Sequence, residues 1–226
     1  SDLMDHGYAC SPLVFENLVI LQANAKDGAV AAFDKDTGKL VWKSGEGDGN
    51  YSTPVLYRKD GVARLAVFLA DGLVSLDAKT GKQFFKFPYS CTWGLSVCDP
   101  IVGGDWMFIS AGYKGGAVLV DVANDKPAEI WKTIEFSNQR TTSVLFKGYL
   151  YGIDGDNDRK PVLKCFDVAM GKEMWAHEGL GNGSLTLAAD PRDMRSMPDS
   201  GGKLIIQGAG GDLVVVEATP KGYQEL

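Results

Sequence analysis

The chain has 226 residues, 23 Lys and Arg against 29 Asp and Glu, and a formal net charge of −6. That acidic balance excludes a general nucleic-acid footprint or an anionic membrane surface as partner, and no apolar run approaches the ~20 residues of a membrane span. With 45% hydrophobic and 23% charged residues, and 28 glycines where the usual share is about 7%, collagen, coiled coil and disorder are also excluded, leaving a turn-rich globular chain.

In chain order, the opening SDLMDHGYAC has no initiator Met, basic region or apolar stretch, so no signal peptide is expected in it. Strand-like stretches follow at Leu13–Val14 and Leu18–Ala23, and then Ala32-Phe33-Asp34-Lys35-Asp36-Thr37-Gly38-Lys39-Leu40-Val41-Trp42. That phrase returns as Ser75-Leu76-Asp77-Ala78-Lys79-Thr80-Gly81-Lys82-Gln83-Phe84-Phe85 and as Cys165-Phe166-Asp167-Val168-Ala169-Met170-Gly171-Lys172-Glu173-Met174-Trp175. Two looser copies complete the set. One runs from Val120-Asp121 to Trp131 with a proline where Thr-Gly is expected, and the other from Val216-Glu217 to Tyr223. The anchoring acids Asp34, Asp77, Asp121, Asp167 and Glu217 are 43, 44, 46 and 50 residues apart. A period of that size decides the whole architecture.

Each copy reads as a β-hairpin. The acid ends a strand and bonds its own turn, glycine takes the positive-φ position, and the departing strand carries a large aromatic. Two further strands precede each hairpin, as at Val144–Phe146 and Tyr149–Ile153, and no helical periodicity exceeds about two turns. The expected fold is all-β: one β-propeller domain over 1–226, of four-stranded antiparallel blades, with five repeats at approximately 9–44, 51–89, 95–133, 139–178 and 182–226. Trp42, Phe85, Trp131, Trp175 and Tyr223 are then structural wedges between neighbouring blades, each worth roughly 3–5 kcal/mol against truncation to Ala.

The phrase AFDKDTGKLVW and its echoes at 75–85 and 165–175 resemble the tryptophan-docking repeat of the PQQ-like, or quinoprotein, β-propellers. That family includes the outer-membrane assembly lipoprotein BamB, a scaffold, and the quinoprotein alcohol and glucose dehydrogenases, which are enzymes. Ser11-Pro12, Gly112-Tyr113 and Glu217-Ala218-Thr219-Pro220 are similar to stretches in uncharacterised secreted bacterial members. The family resemblance implies a periplasmic or secreted location and seven or eight blades, so five repeats suggest a fragment or an incomplete ring, with self-association a liability of exposed blade edges.

Aligning the first strand of each unit sets Pro12, Pro54, Pro100, Val144 and Thr186 in equivalent positions, preceded mostly by small polar residues. Ser11, Ser52, Asp99, Thr142 and Ser184, with nearby Arg140, are therefore the candidates for groups facing a channel or ligand, against a plain packing role for small residues crowding an axis. Cys10 and Cys98 become small repeat residues, and free thiols are expected for all four cysteines. Asn50-Tyr51-Ser52 and Asn182-Gly183-Ser184 match a glycosylation acceptor, but their common repeat phase is explained by repeat ancestry.

Asp154-Gly155-Asp156-Asn157-Asp158 imitates the start of a calcium loop, yet Arg159 and Cys165 stand where Gly and a bidentate Glu are needed, so a solvated hairpin is expected. Gly208–Gly211 and Gly179–Gly183 read as turns, because no helix start follows either. His6 and His177 are the neutral-pH acid/base candidates and neither sits in a nucleophile or metal pattern. The segment Asp190–Gly202 is an insertion of about ten residues, a form in which loops often carry function.

The expected function is a noncatalytic scaffold or binding module of the bacterial cell envelope, holding a protein partner through channel-mouth loops or blade edges, without cofactor or metal. The alternative implied by the resemblance is a quinoprotein-type oxidoreductase using pyrroloquinoline quinone with calcium. The chain departs from the dehydrogenases in lacking adjacent cysteines.

Overall fold

The recurrent acid closes each hairpin as its chemistry dictates. Asp34 Oδ1 accepts hydrogen bonds from Thr37 N (2.8 Å) and Thr37 Oγ1 (2.7 Å), while Gly38, at φ 70°, donates its N–H back to the Asp34 carbonyl (2.8 Å). Asp77 with Thr80 and Gly81, and Asp167 with Met170 and Gly171, repeat the arrangement. The computed structural model describes residues 7, 9–25, 28–45, 47–157, 159–190 and 201–226.

Around these turns the strands form five antiparallel sheets, each in sequence order. The first holds β1 (Leu13–Phe15), β2 (Leu18–Ala25), β3 (Gly28–Asp34) and β4 (Leu40–Ser44); the second β5 (Val55–Lys59), β6 (Val62–Leu69), β7 (Gly72–Asp77) and β8 (Gln83–Pro88). The third holds β9 (Ile101–Val102), β10 (Trp106–Ala111), β11 (Gly116–Asp121) and β12 (Ala128–Thr133); the fourth β13 (Val144–Phe146), β14 (Tyr149–Asp154), β15 (Val162–Asp167) and β16 (Lys172–Glu178). The fifth has three strands, β17 (Ser184–Ala188), β18 (Lys203–Gln207) and β19 (Leu213–Glu217). Among the described residues the only helical element is a 3-10 turn at Thr92–Gly94. These are the sheets of a β-propeller.

One irregularity recurs at a fixed phase. The register between third and fourth strands slips by one residue at Ala32/Phe33, at Ser75/Leu76 and at Cys165/Phe166. The unpaired residues are Val41, Phe84 and Met174, so the next residue, Trp42, Phe85 or Trp175, returns to the pairing. A bulge of this kind re-aims the strand. Val41 stays 51% exposed while Trp42 is 8% exposed.

The chain divides into two compact units, Ser1–Ala111 with Val118–Ile130, and Gly112–Ala117 with Trp131–Leu226. In the first unit the second sheet is buried on both faces. Leu65, Val67 and Leu69 of β6 pack with Ile20, Val30 and Trp42 of the first sheet, while Ala66 and Phe68 pack with Phe85, Met107 and Ile109. Period-2 alternation thus supplies two cores from one apolar run. In the second unit Tyr151, Leu163 and Cys165 of the fourth sheet pack with Leu204, Ile206 and Val216 of the fifth.

Two of the inter-sheet aromatics, Trp42 and Trp131, are seated on glycine. A Cβ on Gly81 would meet the Trp42 ring at 2.6 Å, and one on Gly171 the Trp131 ring at 2.8 Å. Trp131 Nε1 also donates to the Val168 carbonyl and Trp175 Nε1 to that of Thr219, both at 2.7 Å. The third sheet has no glycine in its Asp121 turn. Asp125 takes a positive φ of 53° there, and the second sheet holds the turn from outside: Arg64 lies 2.6 Å from Asp125 and Lys59 Nζ donates to the Ala123 carbonyl at 2.7 Å.

The fifth unit departs from expectation. Its turn closes at Gln224, two residues later than the Asp34 and Asp77 turns close at Lys39 and Lys82, and the returning chain meets β19 at a single Val216–Glu225 bridge. Tyr223 falls inside that turn, where it stacks on His177 at 3.5 Å between ring centres and packs edge-on to Trp175. It is therefore not the aromatic of a fourth strand. Thr186 also lies inside β17 rather than at its start, two residues out of phase with Val144 at the head of β13.

Candidate functional site

Connections between sheets are the irregular segments of each unit, and buried polar bonds fix them. In the first unit Gln22, on β2 and 1% exposed, directs Nε2 at Ser52 O (2.7 Å), Ser52 Oγ (2.8 Å) and Phe68 O (3.2 Å), while its Oε1 accepts from Asn50 N (2.6 Å). Ser52 Oγ and Ser96 Oγ both donate to the Phe68 carbonyl, at 2.8 and 2.9 Å, and Ser52 N donates to Ser96 O at 3.1 Å. One amide side chain on the first sheet thereby locks the connections that lead into the second and third sheets.

A second chain of bonds links equivalent repeat positions. Ser11 N donates to Thr53 Oγ1 (3.3 Å), and Thr53 N donates to Asp99 Oδ1 (2.6 Å). Burial pushes the Asp99 carboxyl up from the ordinary range, against the lowering effect of the Thr53 bonds. Of the candidates read from the sequence, Ser11 is exposed, Asp99 half-buried, and Ser52 fully buried with its hydroxyl used inside the protein. Asn50 is 4% exposed, with its side-chain amide bonded to the Gly94 carbonyl, so it is no glycosylation acceptor in this fold.

In the second unit the calcium-like stretch is not a solvated hairpin. Asp154 and Asp156 are 6% and 3% exposed. Asp154 accepts from Ser137 N (2.7 Å) and pairs with Arg159 and Lys164 (both 3.2 Å); Asp156 accepts from Tyr113 N (2.8 Å) and pairs with Arg159 (3.4 Å). Lys164 and Arg159 take the charge that a cation would otherwise meet, so these carboxylates do not fit a calcium site. Asp158 lies outside the described residues. Arg140 is exposed and bonded to Asn157 Oδ1; Thr142 is half-buried; Ser184 is exposed at the head of β17. Asp99 belongs to the first unit and Arg140, Thr142 and Ser184 to the second.

Nucleophiles are equally confined. All four cysteines are free thiols, and burial pushes those of Cys91 and Cys165 up to about 12. A thiolate is the reactive form, so neither is available at neutral pH. His177 is stacked under Tyr223, and His6 lies outside the described residues, as does 191–200 of the insertion. The glycine stretches form turns as expected, with Gly208 N donating to Asp212 O and Ala209 N to Leu180 O. Sequence reasoning missed a groove of about 490 Å³ in the second unit, lined by Phe146, Lys147, Tyr149, Thr219, Lys221 and Gln224 among others. Its residues come from two repeats, so no single stretch signals it.

Comparison with known proteins gives this arrangement relatives. The family described as outer membrane protein assembly factor BamB matches residues 4–177. A curated protein of that name from Burkholderia pseudomallei (strain K96243) is 28% identical over 185 residues, which cover 75% of this chain and 44% of that protein. Among solved structures, BamB from Moraxella catarrhalis superposes with a TM-score of 0.63 at 18% identity, covering 95% of this chain and 61% of that one. The quinohemoprotein alcohol dehydrogenase from Comamonas testosteroni gives 0.64 at 14% identity, covering 97% and 42%. The chain thus spans less than two thirds of each relative. The two structural likenesses show the fold.

Proposed function

The chain belongs to the outer membrane protein assembly factor BamB family, and from that premise we propose that it is a noncatalytic scaffold of the bacterial periplasm that holds protein partners of outer-membrane protein assembly. The observation that carries this reading is how the polar groups are spent. Ser52, Asp154 and Asp156, which the sequence offers as channel-facing or calcium-binding groups, are buried and engaged with backbone or with Arg and Lys, and Gln22 and Ser96 beside Ser52 are likewise buried and bonded to backbone. Such bonding rigidifies the connections, and rigid loops on a sheet scaffold suit recognition. Partners would meet the exposed rims of those connections, near Ser11 in the first unit and Arg140 and Ser184 in the second.

Cross-linking in intact cells, followed by identification of the linked proteins, tests the proposal. Enrichment of outer-membrane assembly components in the periplasmic fraction is expected; their absence from the linked set sinks it. A parallel titration with pyrroloquinoline quinone and calcium addresses the oxidoreductase alternative. Saturable micromolar uptake with an absorbance change would replace the scaffold reading.

A further inference from the structure

Two repeats meet at the groove of about 490 Å³ in the second unit. The ends of β13 and β14 and the turn between them supply Phe146, Lys147 and Tyr149, and the Glu217 turn of the fifth sheet supplies Pro220, Lys221 and Gln224. Both walls are fixed from behind. Gly202 packs so closely on Phe146 that a Cβ there would meet the ring at 2.8 Å, Ala218 N donates to Gly202 O (2.9 Å), and the Thr219 carbonyl accepts from Trp175 Nε1 (2.7 Å). A preformed concavity of this size suits a small molecule.

The polar groups of the lining are unevenly spent. Glu217, the one carboxylate among the described lining residues, is paired with Lys203. Lys147 holds its charge over the apolar lining, with Nζ 5.2 Å from the centre of the Phe146 ring. Lys221 is exposed, and its ammonium has no ion-pair or hydrogen-bond partner among the described residues; the Tyr149 hydroxyl and the Gln224 side-chain amide are likewise without a hydrogen bond there. The groove thus sets an unspent cation and two further donors beside apolar surface, while its carboxylate is already neutralised. A carboxylate accepts hydrogen bonds and carries the opposite charge, so it is the group this set fits.

We propose that the groove binds a small carboxylate carried on an aromatic body, the ring lying against the apolar lining and the carboxylate meeting Lys221, with the Tyr149 hydroxyl as a further donor. The full chain is titrated with 3-phenylpropanoate, with its neutral amide 3-phenylpropanamide, and with 2-phenylethylammonium, following backbone amide resonances. The acid is expected to bind saturably and to move the amides of Lys147, Thr219 and Lys221 while those of Leu65 and Val67 stay in place. The neutral amide should bind about fivefold more weakly, and the ammonium compound more weakly still.

Lys221→Ala should weaken the acid about fivefold and leave the affinity for the neutral amide unchanged, with a wild-type melting temperature because the side chain is exposed and unpaired. Tyr149→Phe should weaken the acid about threefold. Acetylglycylphenylalanine distinguishes two sources of the same chemistry: binding as tight as that of 3-phenylpropanoate assigns the site to a peptide end, and weaker binding assigns it to a free acid. Equal affinity for acid and amide, unchanged acid affinity in Lys221→Ala, or resonance shifts confined to residues outside the groove each overturns the proposal. An equal loss of acid and amide binding in Lys221→Ala does so too, since it reports lost structure rather than a lost charge partner.

Discussion

Gly81 meets two demands at one position: φ 73° in the Asp77 turn, and contact with the Trp42 ring too close for any Cβ. Gly38 meets only the first, with φ 70° and nothing within 4 Å of an added Cβ. Gly38→Ala should therefore cost about 1 kcal/mol, whereas Gly81→Ala should cost roughly 2–4 kcal/mol, in urea unfolding of the two variants. The indoles divide similarly. Trp131 donates to Val168, while the buried Nε1 of Trp42 has no partner. Replacement by Phe should thus be milder at Trp42 than at Trp131 by about 1 kcal/mol. The Asp-Gly turns were legible in the sequence because their chemistry is local. The left-handed backbone of Trp93, at φ 54°, was not, since the Asn50 amide bonded to the neighbouring Gly94 carbonyl comes from 44 positions away.

At the scale of elements, the connections between sheets carry the electrostatics. Asp99 has its pKa raised by burial, so its contribution favours the folded state at low pH and is lost as pH rises through the folded value. Asp125 is lowered, first by its bond to Arg64, so its contribution is present above the unfolded value and lost as pH falls through the folded one. Melting curves across pH should accordingly show Asp99→Asn stabilised at pH 7, where the amide keeps an acceptor for Thr53 N–H, and Asp125→Asn destabilised there. Gln22→Ala, which strips the Asn50 N–H and the Ser52 carbonyl of a buried partner, should cost about 2–4 kcal/mol by chemical denaturation. The acidic stretch at 154–156 was misread as solvated for a physical reason. Its compensating Lys164 lies on the facing strand, and the exposure of a carboxylate is set by partners that spacing along the chain does not reveal.

Over the whole molecule, the repeat specified five sheets and the strand order within each, because strand pairing is settled by turns at a regular spacing. The fifth unit resisted the same reading. Its Glu217 turn admits extra residues, and a shift of that size moves an aromatic from a strand into a loop, as happened to Tyr223. Burial also sets a global pattern of thiol reactivity. Alkylation of the native protein, followed by mass spectrometry, should label Cys10, which is half-exposed, well before Cys91 or Cys165.

The seating of Trp42 on Gly81 and of Trp131 on Gly171 has a genealogical corollary. Each lock is split between two neighbouring copies, about 40 residues apart, so a gene segment cut at sheet boundaries separates key from keyhole. Where Phe85 replaces the indole, the following turn has no glycine to receive it. Duplication or shuffling within such a chain must therefore transmit overlapping pairs of modules, and the heritable unit straddles the visible one.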